Sequence, residues 1–445
     1  MANFPRQPKQ QQRPLAILNA RLLDPATGLD TKGGILVAEG SIVALGPQLG
    51  PTGLPEGTET IDAGGHCLAP GLVDMRVQLR EPGEEHKETI ATGAAAAAAG
   101  GVTTMVCLPN TDPVIDDVAG VEFIARRARE TRLAKIYCYG AVTKQLAGKD
   151  LVEMGLLAES GALAFTDGLA AVADARVMRR ALSYACGFGL LIIQHPEEPR
   201  LAEGGAMNAG EMATRLGLAG IPPAAEVMMI ERDLHLVEMT GARYHAAHVS
   251  TAAAVEAIRK AKARGLRVTC DTAPHYFALN EIAVGDYRTF AKLSPPLRSE
   301  EDRKAIAAAV ADGTVDCIAS DHAPHDQDSK RVPFAQAAFG VIGLETLLPV
   351  SLELCHKREI GLLGLLKRMT SAPADLLGLP QGRLAIGAPA DLVLFDLDRA
   401  WKIDVDRFRS KSKNAAFDER PTQGMVLRTI VDGRTVFATE ADRLR

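Results

Sequence analysis

"PGLVDMRVQLREPG", residues 70–83, is an apolar run that turns polar at its end, where Arg76, Gln78 and Arg80 stand at every second position. Residues two apart on a strand face the same side, so Arg76 and Gln78 point together at whatever the strand borders. From this run to about residue 380 the chain alternates short apolar, β-branched segments with Ala-rich segments of helical period. The strand candidates are "LAPGLVDMRV" (68–77), "GVTTMVCLPN" (101–110), "AKIYCYGAVT" (134–143) and "GALAFTD" (161–167). They continue with "GLLIIQHPEE" (189–198), "RYHAAHVST" (243–251), "RVTCDTAPH" (267–275) and "TVDCIASDHAPH" (314–325). Between them, segments such as "TAAAVEAIRKAKARG" repeat apolar positions at three and four residues and stop at a glycine, Gly265. Eight strands alternating with helices predict an α/β fold of the (β/α)8 TIM-barrel type.

The flanks read differently. Residues 14–66 and 383–445 carry short alternating segments punctuated by glycine, such as "GGILVAEGSIVALG" and "MVLRTIVDGRTVF". Two β-rich ends on either side of a barrel predict one small β-sandwich built from both. The expected division is a disordered arm at 1–13, sandwich at 14–66, barrel at 67–382 and sandwich again at 383–445. A net charge of −5 and the lack of a Lys/Arg block exclude a basic footprint for nucleic acid or an anionic membrane. No run has the length and apolarity of a membrane span, and the polar "MANFPRQPKQQQRP" start has no signal-peptide core, so the expectation is a cytoplasmic protein. Seven scattered cysteines without a Cys-x-x-Cys pair read as reduced, buried thiols.

The candidate strands end in Arg76, Gln78 and Arg80, then Asn110, Asp167, His195, His248, and Asp321 with His325. In a barrel of this type catalytic groups come from the C-terminal ends of several strands, so these side chains converge on one mouth. Two histidines and a carboxylate are a zinc set of the catalytic type, leaving one position for a water whose pKa the metal lowers. Asp321 would accept and return the proton. Arg80, Asn110 and His325 are donors suited to a carboxylate-bearing substrate, because a guanidinium fork matches a carboxylate with two hydrogen bonds. His66, His86, His235, His245 and His356 read as structural or exposed.

From about residue 15 to 440 the chain resembles dihydroorotases of the bacterial type, within the amidohydrolase superfamily. The resemblance is carried by "PGLVDM…LREPGEEHKETI", "TTMVCLPNTDPVIDD", "GALAFTDG", "QHPEE", "YHAAHVST", "VTCDTAPHYF", "KLSPPLRSEEDR", "SDHAPH" and "PFAQAAFGVIGLET". It implies interconversion of dihydroorotate and N-carbamoyl-aspartate in pyrimidine biosynthesis, with one or two zinc ions. By position it implies Asp167, His195, His248 and Asp321 as metal ligands, Asp321 doubling as general acid and base. It implies Arg80, Asn110, Ser294, His325 and the Phe339-Gly340 backbone as substrate contacts. It also brings His275 and His322 near the site, open between packing and supporting it. Related hydantoinases and allantoinases carry a carboxylated lysine on the fourth strand. Asp167 stands there without a nearby lysine, which argues against their substrates.

The pattern breaks at its first element. The family opens its barrel with His-x-His, and here those positions hold Arg76 and Gln78. A guanidinium has no lone pair and is never deprotonated in a protein, so Arg76 cannot ligate zinc, and Gln78 offers only a weak neutral oxygen. A +1 group about 5 Å from a +2 ion costs on the order of 6 kcal/mol at an effective dielectric of 20. Conversely, Arg76 held between Asp167 and Asp321 would supply the charge that a metal supplies. Ser294 replaces a usual Asn, and Gly168 follows Asp167 where a second Asp is common. The reading is a dihydroorotase homologue with a degenerate metal site, holding at most one zinc or none. Non-catalytic members of the family imply, by analogy, a role as partner of aspartate carbamoyltransferase, in a homodimer or hetero-oligomer. The rival readings are an active single-zinc dihydroorotase and a sensor that binds dihydroorotate without converting it.

Overall fold

The computed structural model describes residues 13–439. The expected arm falls almost entirely outside the described residues. Both ends of the chain meet in one eight-stranded sheet, whose order runs Arg434–Ala438, Pro421–Val431, Leu392–Lys402, Cys67–Pro70, Leu15–Asp24, Leu29–Ala38, Ser41–Gly46, with Glu59–Asp62 also on Leu15–Asp24. The joint is Cys67–Pro70, parallel to Leu15–Asp24 and antiparallel to Leu392–Lys402 in the register Leu392↔Pro70 to Phe395↔Cys67. Ile17, Leu22, Ile35, Ile42, Leu392 and Ile430 form the sheet's own apolar core.

The run read as one strand, 68–77, is divided at Gly71. Cys67–Pro70 belongs to the sheet and Leu72–Val77 opens the barrel. The division has a steric reason: a Cβ at Gly71 would lie 2.2 Å from the Thr103 side chain, and the Gly71 amide donates to the Asp391 carbonyl. Only glycine lets the chain pass from one unit to the other at this closeness.

The barrel strands pair in two parallel groups. Leu72–Val77 lies beside Val102–Cys107 and then Lys135–Cys138. Leu191–Gln194, Arg243–Ala246, Val268–Thr272 and Cys317–Ile318 form the second group. Single bridges join the groups: Phe165 pairs with Gly140 and Ile192, and His322 pairs with Val77, so the order returns to its first strand. The fourth strand expected over 161–167 is thus a bridge at Phe165 rather than a ladder. Side chains from every strand but the seventh, among them Val73, Val106, Tyr139, Ala164, Ile193, Ala247 and Ala319, pack with Ala374, Leu377 and Leu379 as a filled interior. Helices cover the outer faces. Ala252–Ala263 shows why they form where they do: Thr251 caps the Ala254 amide, and Ala254, Val255, Ile258 and Ala261 make the buried stripe.

Where strands leave the barrel, the backbone bends sharply. Arg80, His248 and Asp321 take positive φ of 59°, 38° and 49°. Such values are uncommon for residues with a Cβ and cluster at functional sites, and here they turn three polar side chains into one mouth.

Candidate functional site

Arg76 is 2% exposed, and its Nε donates to Asp321 Oδ1 at 2.9 Å. One terminal nitrogen donates to the Gly168 carbonyl at 3.3 Å. The expectation that Arg76 would lie between two carboxylates is corrected in part: it pairs with Asp321 and with a backbone carbonyl beside Asp167, not with the Asp167 carboxylate. That carboxylate is already satisfied by the Val142 and Thr143 amides, both at 2.9 Å, and by the Thr143 hydroxyl. Burial pushes the Asp167 carboxyl up against those hydrogen bonds.

The other oxygen of Asp321 faces His248 Nδ1 at 3.2 Å, and His248 Nε2 lies 2.7 Å from His195 Nδ1. Burial, and then Arg76, push His248 down to about 4. A neutral His248 puts its one proton on Nδ1, because an ionised carboxylate only accepts, so Nε2 accepts from His195. Burial works to raise the Asp321 carboxyl, yet His248, through its hydrogen bond and charge, and then the Arg76 guanidinium hold it well below the usual carboxylate range. With His248 neutral at pH 7, the lasting counter-charge is Arg76. His275 Nε2 stands 3.8 Å from Asp321 Oδ2 without a hydrogen-bond partner, and burial pushes this ring down to about 4 as well.

These residues do not fit the zinc that the resemblance implies. Two imidazole nitrogens sharing a tetrahedral zinc at 2.0–2.1 Å stand about 3.3 Å apart, whereas His195 and His248 are closed onto each other at 2.7 Å. The His248 lone pair is used by His195, Asp321 is used by Arg76, and Asp167 is turned to Val142 and Thr143. No group of three or more His, Cys, Asp or Glu among the described residues is arranged to hold a metal.

The donor side of the mouth is held by a hydrogen-bond network of its own. Arg80 donates through Nε to the Pro324 carbonyl at 3.1 Å and through Nη1 to Glu84 at 2.9 Å, and its Nη2 meets His325 Nε2 at 3.2 Å. His325 Nε2 also faces the Phe339 carbonyl at 2.8 Å. Gly340 is held by its amide on the Lys292 carbonyl, at φ 113°, and a Cβ there would stand 2.6 Å from that of Ala323. Asn110 donates to Gln78 at 3.2 Å, joining the first and second strand ends. Ser294 Oγ donates to Glu197 at 3.3 Å, and Glu197 in turn lies 3.8 Å from His195.

The candidates read from the sequence therefore fall in four sets of contacts at the strand ends: Arg76, Asp321, His248 and His195, reaching Ser294 through Glu197; Asp167 on the Val142 and Thr143 amides; Arg80 with His325 and Phe339, next to Gly340; and Asn110 with Gln78. Sequence reading passed over Glu84, Thr143 and Glu197. Glu84 carried a signal, standing four residues after Arg80. Thr143 carried none, because its contact with Asp167 depends on how neighbouring strand ends turn.

Comparison with known proteins agrees with this architecture. The family model "Dihydro-orotase-like" matches residues 65–254. The chain is 48% identical to a dihydroorotase of Anaplasma phagocytophilum (strain HZ), over 96% of each protein. It is 45% identical to a dihydroorotase of Geobacter sp. (strain M21), over 95% of this chain and 99% of that protein. Among solved structures, the L-hydantoinase (dihydropyrimidinase) of Arthrobacter aurescens superposes with a TM-score of 0.84 at 27% identity, covering 95% of both chains. With a relative this similar along nearly its whole length, and with its predicted barrel and joined β-rich ends in place, the chain belongs to the dihydroorotase family.

Proposed function

We propose that this chain is a catalytically degenerate dihydroorotase homologue of pyrimidine biosynthesis, in which an arginine stands for the metal. The observation that carries this reading is the buried Arg76–Asp321 pair at 2.9 Å. It joins a guanidinium that cannot ligate to the carboxylate that would otherwise move the proton. Breaking such a pair leaves an uncompensated buried charge, so the arginine is held in place by the same physics that would hold an ion. The test is metal content by elemental analysis of protein purified without chelator, alongside dihydroorotate hydrolysis with added zinc. The expected result is no stoichiometric zinc and no turnover. One zinc per chain with turnover overturns the proposal.

The rival single-zinc enzyme draws on the contiguity of His195, His248 and Asp321. It needs Arg76 to swing away, Asp167 to turn inward and the histidine pair to open. In that case Asp321→Asn abolishes turnover while zinc stays bound.

The non-catalytic role proposed is that of a partner of aspartate carbamoyltransferase, a reading that rests on family resemblance. Co-purification of the two supports it, and transcarbamoylase assembly that is unchanged without this chain refutes it. The mouth, with Arg80, Asn110 and His325, is proposed to keep a site for a carboxylate-bearing ligand of the dihydroorotate or N-carbamoyl-aspartate type.

A further inference from the structure

We infer that Glu84 is an internal carboxylate that occupies Arg80 until a ligand carboxylate displaces it, so that Glu84 gates the mouth. The inference rests on the reading of the mouth as a carboxylate site, and it is independent of whether metal or turnover is present. Arg80 is fixed: it is 6% exposed and its Nε is spent on the Pro324 carbonyl. Glu84 is not fixed in the same way. Its side chain is 33% exposed, it takes Arg80 through Oε2, and its other oxygen is already on Lys87. Leaving Arg80 would thus return the partly exposed Glu84 to water with Lys87 still at hand.

A second observation points to a missing acceptor beside the same guanidinium. His325 Nε2 lies between the Phe339 carbonyl and Arg80 Nη2. Carrying a hydrogen, this nitrogen satisfies Phe339 and has no lone pair for Arg80. Carrying a lone pair, it satisfies Arg80 and faces the carbonyl oxygen. One of the two contacts is always unmade. His325 Nδ1 is also buried without a partner, in a residue 8% exposed. Glu84 takes only one end of the Arg80 fork, through Nη1. A ligand carboxylate can span Nη1 and Nη2, which exchanges a single hydrogen bond for a bidentate pair and supplies the acceptor that His325 cannot.

The experiment is calorimetric titration of N-carbamoyl-aspartate into the full chain and its Glu84→Ala, Glu84→Gln, Arg80→Met and Glu84→Ala/Arg80→Met variants. Binding should tighten about fivefold to tenfold in Glu84→Ala, as expected when a competing carboxylate is removed, and the gain should vanish without Arg80. Unfolding temperature gives a second readout. Glu84→Ala should melt lower than the parent chain when free and recover with millimolar N-carbamoyl-aspartate but not with equal chloride. Unchanged or weaker binding in Glu84→Ala, a gain that survives Arg80→Met, a melting loss that the ligand does not restore, or no binding in any variant would each overturn the gate. Zinc with turnover would sink the proposed degeneracy and leave the gate standing.

Discussion

At the residue scale, the decisive contact is a cation that cannot leave. Asp321 is buried, its carboxyl is held well below the usual range by His248 and then Arg76, and Arg76 is the permanently charged partner paired with it. Replacing Arg76 by Met strands the carboxylate, and a loss of about 3–5 kcal/mol is expected in urea unfolding. The double variant Arg76→His/Gln78→His removes the guanidinium and restores two ligands at strand spacing. Elemental analysis should then find zinc in amounts that the parent chain does not hold. The same burial sets a pH dependence. His275 is pushed from 6.5 to about 4 in the folded chain, so between those values the unfolded chain binds the extra proton. Stability therefore falls as pH drops through this window and levels off below it. His275→Gln should reduce the slope of unfolding free energy against pH by about one proton between pH 6 and 4.5, measured by denaturant titration at each pH.

At the scale of elements, short ladders place the site. The fourth barrel position contributes a bridge at Phe165 and then bends, which brings Asp167 under the amides of Val142 and Thr143. The eighth strand is equally brief, Cys317–Ile318, and releases the chain to turn at Asp321. Longer strands would carry these carboxylates past the mouth. Gly71 plays the corresponding part at the entrance of the first strand. Gly71→Ala drives a methyl into Thr103, and overpacking of this kind costs about 1–3 kcal/mol. Thermal unfolding should show that loss. Gly71→Ala/Thr103→Ser, which removes one of the opposing groups, should regain part of it.

At the scale of the whole molecule, the sheet and the barrel are joined through the chain itself. Leu392–Lys402 pairs with Cys67–Pro70, which runs through Gly71 into the first barrel strand. Leu392, Leu394 and Ile430 supply the C-terminal half of the sheet's core. A chain ending at residue 391 leaves Cys67–Pro70 as a raw edge and opens that core. It should lose cooperative unfolding and associate, as seen by near-ultraviolet circular dichroism and size-exclusion chromatography. No helix among the described residues is long and apolar enough to cross a membrane.

The alternation of apolar runs and helical segments was enough to determine the barrel and the joined ends, because burial periodicity is local and repeats along the chain. The residue types at the strand ends were enough to choose the candidates for the mouth. That Arg76 cannot ligate a metal and that Gln78 offers only a weak neutral oxygen was equally legible, since their coordination chemistry does not depend on where they fold. What they contact was decided by closure of the barrel. Arg76 and Asp321 are 245 positions apart and meet only because the eighth strand returns to the first. Asp167 was expected to share Arg76, but backbone amides from the neighbouring strand end reach it first. The closing of His195 onto His248 likewise goes with a backbone turn of positive φ at His248. Such turns are set by the packing of whole strands, and no local pattern of residues encodes them.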